Sequence, residues 1–379
     1  MAATPPPLLL KAARQLEPFD PGLARETCLI AWGAAGMAGS VDVRGVLLEI
    51  CHTVRALPSP PGDPRPLDLL LDGVTLLTTE GHAAATPTLQ RAAEAVADIP
   101  AEDVLWWGWI AASASSLVWD FEALHAIAVR HVQLARDAGA LVQLLTSLSS
   151  LGLTLSWMGD FEGTASVIAE TDSVAAATGS GIASYTMLRL LALQGQEAGA
   201  SAAIASAIGL AGDGGQGQAV AWVHWAAAIL YNGLARYADA ASALRQYTSN
   251  TRNPWMSMWA MPELVEAAAR AGDTELARDA LELLADTTRP CGTDWALGTE
   301  ARCRALLSDG VPAEKLYREA IGRLSRTRVR PELARAHLLY GEWLRREGRR
   351  VDARGQLRTA HDMFAAMGWR RSPSAPAGS

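Results

Sequence analysis

Apolar residues recur three and four apart along this chain, as at Leu276, Ala280, Leu283 and Leu284, or at Leu338, Leu339, Tyr340 and Leu344. That spacing gathers them on one side of a helix, whereas a strand would alternate in twos. Short turns follow the apolar segments at Gly39, Gly81, Trp119, Gly159, Gly195, Ala235, Gly272, Gly310 and Gly348, at intervals of 36 to 42 residues. Seven of the nine are Gly, the residue that takes up the left-handed backbone ending a helix most readily. WMGDFEGTA, LARYADA, RAGDTELA and REGRRVDA show the local pattern: a small or Gly turn, a polar residue able to cap, and a new helix two or three residues on. Five residues after the turn, Ala200, Ala240, Ala277 and Ala353 place a small side chain where paired helices must approach closely.

A fixed period of this length predicts an all-α chain of about nine helical hairpins, stacked side by side as a curved superhelical solenoid. The repeats span 22–368, with 1–21 as a lead-in and 369–379 as a disordered tail. The Pro-rich PSPPGDPRP at 58–66 and the Gly-rich AGDGGQGQ at 211–218 fall where connections between hairpins are expected.

Composition agrees with helices. Half of the 379 residues are hydrophobic, enough to bury a large core, and Ala and Leu dominate over β-branched runs. The net charge of −7 hides an asymmetry: from Arg318 onward fourteen Arg face six acidic residues, a net of +8, which leaves −15 for the rest. A basic end can meet nucleic acid or an acidic partner, but Arg spread along helices also reads as a solvated face. Cys28, Cys51, Cys291 and Cys303 form no CxxC pair, so reduced thiols in the cytoplasm are expected. The N-terminus lacks the charged-then-apolar order of a secretion signal, and no uninterrupted apolar run approaches membrane-spanning length.

The usual chemistry is hard to place. The only lysines are Lys11 and Lys315, and neither follows a Gly-rich turn, which excludes a phosphate loop. GAAGMAG at 33–39 closes a helix and follows no strand, so it is no dinucleotide fingerprint. His125 and His131 are six apart, on different helix faces, and Cys51 and His52 are adjacent, so neither pair converges on a metal. Glu263 with Glu266, and Asp294 with Glu300, read as helix-face charges. No catalytic, cofactor or metal residue is expected, and the chain is not expected to be an enzyme.

Tryptophan remains. Trp106, Trp107 and Trp109, then Trp222 with Trp225, then Trp255 with Trp259, cluster at helical spacing. Two readings stand: packing between hairpins, or an aromatic face of Trp106, Trp109, Trp222, Trp225, Trp255 and Trp259 lining a groove for a peptide or small apolar ligand.

The segments PLLLKAARQLEPFDPGLARETCLIAW, DAGALVQLLTSLSSL and GTDWALGTEARCRALLSDG, and above all ARAHLLYGEWLRREGRRVDARGQLRTAHDMFAAMG, resemble the tetratricopeptide-like region of large ATP-binding LuxR-type (MalT-like) transcriptional regulators. The resemblance runs from Pro7 to Gly368. It implies a regulatory helical domain that holds a protein partner or a small-molecule inducer. In that family an ATPase precedes this region and a DNA-binding helix-turn-helix follows it, and neither can be placed on any residue here. A back-translation of GWRRSPSAPAGS reads as a helix continuation in another frame, which gives the expectation of a truncated product. Such a product would touch neither DNA nor membrane, and would act by competing for ligand or by pairing with full-length relatives, or else be an inert remnant. The alternative is a free-standing adaptor that scaffolds proteins.

Overall fold

A computed structural model describes residues 5–38, 43–58, 62–180, 185–212, 217–245 and 254–368. Among these residues there are nineteen helices and no strand. The predicted lead-in carries α1 (Pro6–Leu16), which buries Leu10 and Ala13 against its neighbour. The rest pair as hairpins: α2 (Pro21–Ala38) with α3 (Val43–Ala56), α4 (Pro66–Glu80) with α5 (His82–Val96), and α6 (Ala101–Leu117) with α7 (Phe121–Asp137). Next come α8 (Leu141–Met158) with α9 (Phe161–Thr178), α10 (Tyr185–Leu193) with α11 (Glu197–Gly212), and α12 (Gly217–Gly233) with α13 (Tyr237–Leu244). The last three are α14 (Pro254–Ala271) with α15 (Thr274–Cys291), α16 (Asp294–Leu306) with α17 (Gly310–Leu324), and α18 (Arg330–Arg346) with α19 (Arg350–Ala366).

Among the described residues each hairpin turn holds a residue of positive φ. Positive φ occurs at Gly81, Gly159, Gly195, Gly272, Gly310 and Gly348, and also at Trp119 (57°) and Ala235 (58°), where a side chain has to tolerate it. Gly39 and the tail 369–379 lie outside the described residues. A second series, Gly139, Gly179, Gly292 and Gly368, has the same backbone at the far ends of α7, α9, α15 and α19. Several turns are sealed by a side chain: Asp120, Asp160 and Asp273 accept from the amides of Ala123, Gly163 and Leu276 at 3.0, 2.8 and 3.2 Å. Ala200, Ala240, Ala277 and Ala353 are all buried where the paired helices meet.

The first helices of successive hairpins touch one another from α2 to α18, so they form the inner side of the curve. The row also coils back onto itself. Helices ten places apart meet, α2 with α12, α5 with α15 and α8 with α18. Gln90 on α5 donates to the Cys291 carbonyl on α15 at 3.2 Å, and the Thr293 hydroxyl donates to the Trp119 carbonyl at 3.0 Å. Gly159 in the α8–α9 turn lies so close to Met367 at the end of α19 that a Cβ there would collide with the sulfur. An open arc of hairpins would leave its concave side to solvent; here five hairpins complete a turn and the next turn rests on it.

Candidate functional site

On the inner side of the coil is a half-open cavity of about 270 Å³, walled by α2, α6, α7, α8, α10, α12 and α14. The longest wall is α8, whose Thr146, Ser149, Ser150, Leu153 and Thr154 all line it. Their spacing of three and four turns one hydroxyl-rich face of an otherwise Leu-rich helix to the inside. By length and composition α8 is apolar enough to cross a membrane, but 44% of that span is buried within the protein. Opposite stand Ala112, Ser113 and Ser116 of α6, and Trp109 lies across Gly33 of α2, where a Cβ would come within 2.6 Å of the indole. Tyr185 and Thr186 of α10, Trp222 of α12 and Trp259 of α14 close the far end.

Among the described residues no charged side chain lines the cavity. Just behind the wall His125 places its Nδ1 2.9 Å from the Thr154 hydroxyl; burial, helped by the Arg328 charge, pulls its pKa down and favours the neutral ring. Of the eight hydroxyl-bearing residues on the wall, four spend their hydrogen on backbone. Ser149 donates to the Leu145 carbonyl (3.0 Å), Ser150 to Thr146 (3.3 Å), Thr154 to Leu151 (2.9 Å) and Thr186 across to Ser149 (3.2 Å).

Behind Trp222 and Trp259 the aromatic rings continue as a packed chain. Trp157 meets Trp259 at 4.9 Å between centroids and Trp295 at 5.2 Å, and Trp295 meets Trp119 at 4.9 Å, all edge-on. Trp225 fills the space beside Trp222 and Trp259 at 5.3 and 5.7 Å. Arg189, 2% exposed, stacks on Trp225 (4.5 Å) and Trp157 (5.2 Å), and its Nε donates to the Ser156 hydroxyl at 2.9 Å. Burial lowers its pKa to about 10. The rings thus hold this cation away from the cavity wall.

Beyond Arg189 the inner helices carry a buried ionic network. Asn232 donates to the Glu263 carboxylate at 2.8 Å, Arg302 lies 3.0 Å from Glu332, and Arg335 grips Glu266 with two nitrogens. Burial raises the pKa of Glu263. Burial also opposes the charge on Glu266, but the adjoining Arg335 outweighs it and holds that carboxyl low.

The sequence-derived positions therefore separate. Trp109, Trp222 and Trp259 are on the cavity wall, Trp225 is packed behind it, and Trp106 stands 65% exposed on the outside. The side chain of Trp255 lies outside the described residues. Trp119, Trp157 and Trp295 were not singled out as ligand-contact aromatics, yet they build the core on which the wall rests. Glu266 and Glu300, read as helix-face charges, are 2% and 3% exposed and ion-paired, because the first helices turn inward. His131 is likewise buried, under Gly108, and reaches the Leu105 carbonyl at 3.3 Å. The four cysteines are buried, and burial pushes Cys28 and Cys291 up to about 11 and Cys303 up to about 12. Among the described residues no group of three His, Cys, Asp or Glu is placed to hold a metal ion.

The Arg-rich end is built differently. Arg345, Arg350, Arg354 and Arg358 surround a depression of about 480 Å³ floored by Ala353 and Leu357 on the last hairpin. No protein-family model and no curated protein matches the chain.

Proposed function

We propose that this chain is the ligand-binding regulatory region of a LuxR-type transcriptional regulator, acting in the cytoplasm by holding a small-molecule inducer inside its coil and catalysing nothing. The observation that carries this reading is the position of the cavity. Its wall draws on six of the nine hairpins, from α2 in the first to α14 in the seventh. A molecule seated there touches both turns of the coil at once and stabilises the arrangement in which they meet. The signal then passes to other domains or to full-length relatives; the chain itself contacts neither DNA nor membrane.

A thermal-shift screen with a library of small metabolites tests it. At least one compound is expected to raise the melting temperature and change tryptophan emission, through Trp222 and Trp259. A free-standing adaptor is the second reading, supported by the exposed Trp106 ring, a type of residue that anchors protein interfaces. Recovery of a defined protein partner, lost in Trp106→Ala, with no compound active in the screen, would favour the adaptor.

A further inference from the structure

The chemistry of the wall restricts what the cavity holds. Resting on the sensing role above, we propose that the ligand is an uncharged, ring-bearing alcohol or phenol of roughly ten to twelve heavy atoms. Size comes first: an enclosed cavity of about 150 Å³ holds benzene, so the walled part of this half-open cavity, about 270 Å³, seats a body nearly twice as large. Flatness comes next. Trp109, Trp222 and Trp259 offer ring surfaces and Leu145 and Leu153 offer aliphatic ones, which suits a ring and gives little purchase to a sugar or a peptide.

Charge is excluded by what is missing from the wall. Among the described residues no cation or anion lines the cavity, the stacked tryptophans hold Arg189 outside it, and burial favours the neutral form of His125, so a carboxylate or ammonium would lose its water without a charged partner there.

Polarity is set by α8. Ser149, Ser150 and Thr154 direct their hydrogens to carbonyls of their own helix, which leaves oxygen lone pairs as the groups available to a guest. The same wall carries the hydroxyls of Ser113, Thr146 and Tyr185, which can donate, so it offers both kinds of partner, and the uncharged ring substituent that answers both is an O–H.

Isothermal titration of the full chain with three matched probes tests this. β-Naphthol is expected to bind. β-Methylnaphthalene, the same shape without the donor, should bind about tenfold more weakly. β-Naphthoate, with a charge, should bind at least about a hundredfold more weakly. In Ser149→Ala with Ser150→Ala, substitutions that favour the helix, the preference for β-naphthol over β-methylnaphthalene should shrink severalfold while both still bind. Ala112→Phe should abolish binding by filling the space. Naphthoate binding as tightly as naphthol, an unchanged preference in the double variant, or a metabolite screen that returns only charged compounds or sugars would overturn the ligand class and leave the sensing role standing. No binding by any probe or metabolite would overturn both.

Discussion

Among the described residues, two take a left-handed backbone without being Gly. Trp119 is held there by its contacts, since its ring is fully enclosed against Trp295. Ala235 has no such compensation on its methyl group, so Ala235→Gly is expected to stabilise the protein by about 1 kcal/mol in urea unfolding. The reverse change costs more: Gly272→Val and Gly348→Val should each lose about 1 to 3 kcal/mol. A Cβ at either site meets no atom within 4 Å, so that loss is purely one of backbone conformation. Ser115 on α6 is completely buried and its hydroxyl has no partner, so Ser115→Ala should gain about 1 kcal/mol. The turns were legible in the sequence because left-handed backbone restricts which residues fit, and where Trp119 and Ala235 break that rule the regular interval still located them. Trp157, Trp295 and Arg189 were not legible in the same way. Each is an isolated residue on its own helix, and they meet only because helices far apart in the chain are brought together.

Among the helices, α8 shows why the cavity escaped a reading by composition. Its Leu content reads as core and its length as a possible span, while the four hydroxyl residues at 146, 149, 150 and 154 carry the site. Their helical spacing was visible in the sequence; that the face turns inward, toward α6 and α10, was not. The contact between α5 and α15 adds a dependence on pH. His82 opens α5, half-buried near Asp286 of α15, with its Nδ1 enclosed and without a partner; its pKa is lowered to about 4 by desolvation, against the weaker pull of Asp286. The fold therefore favours the neutral ring, whereas the unfolded chain takes up a proton near pH 6.5. The stability from this group is complete above about pH 6.5 and is lost as the pH falls toward about 4. Thermal melts of His82→Gln should show a smaller drop between about pH 7 and about pH 5 than the parent protein. An equal drop would place the acid sensitivity elsewhere.

Taken whole, the molecule departs from a simple repeat array, in which each unit feels only its neighbours and stability is a sum of local terms. Helices ten places apart add contacts that such a sum omits. Loosening the last hairpin with Gly348→Val should therefore speed amide hydrogen exchange in α8 and α9, against which α18 and Met367 lie, as well as in α17. Exchange that rises only in α17, α18 and α19 would mean the row frays from its end. The same contacts decide how a signal can travel. A spring whose windings already rest on one another has no slack left to shorten; it can only spread or unwind. News from one end need not be relayed through every intervening pair, because α8 and α18 are separated by ten places along the chain and by no gap in space.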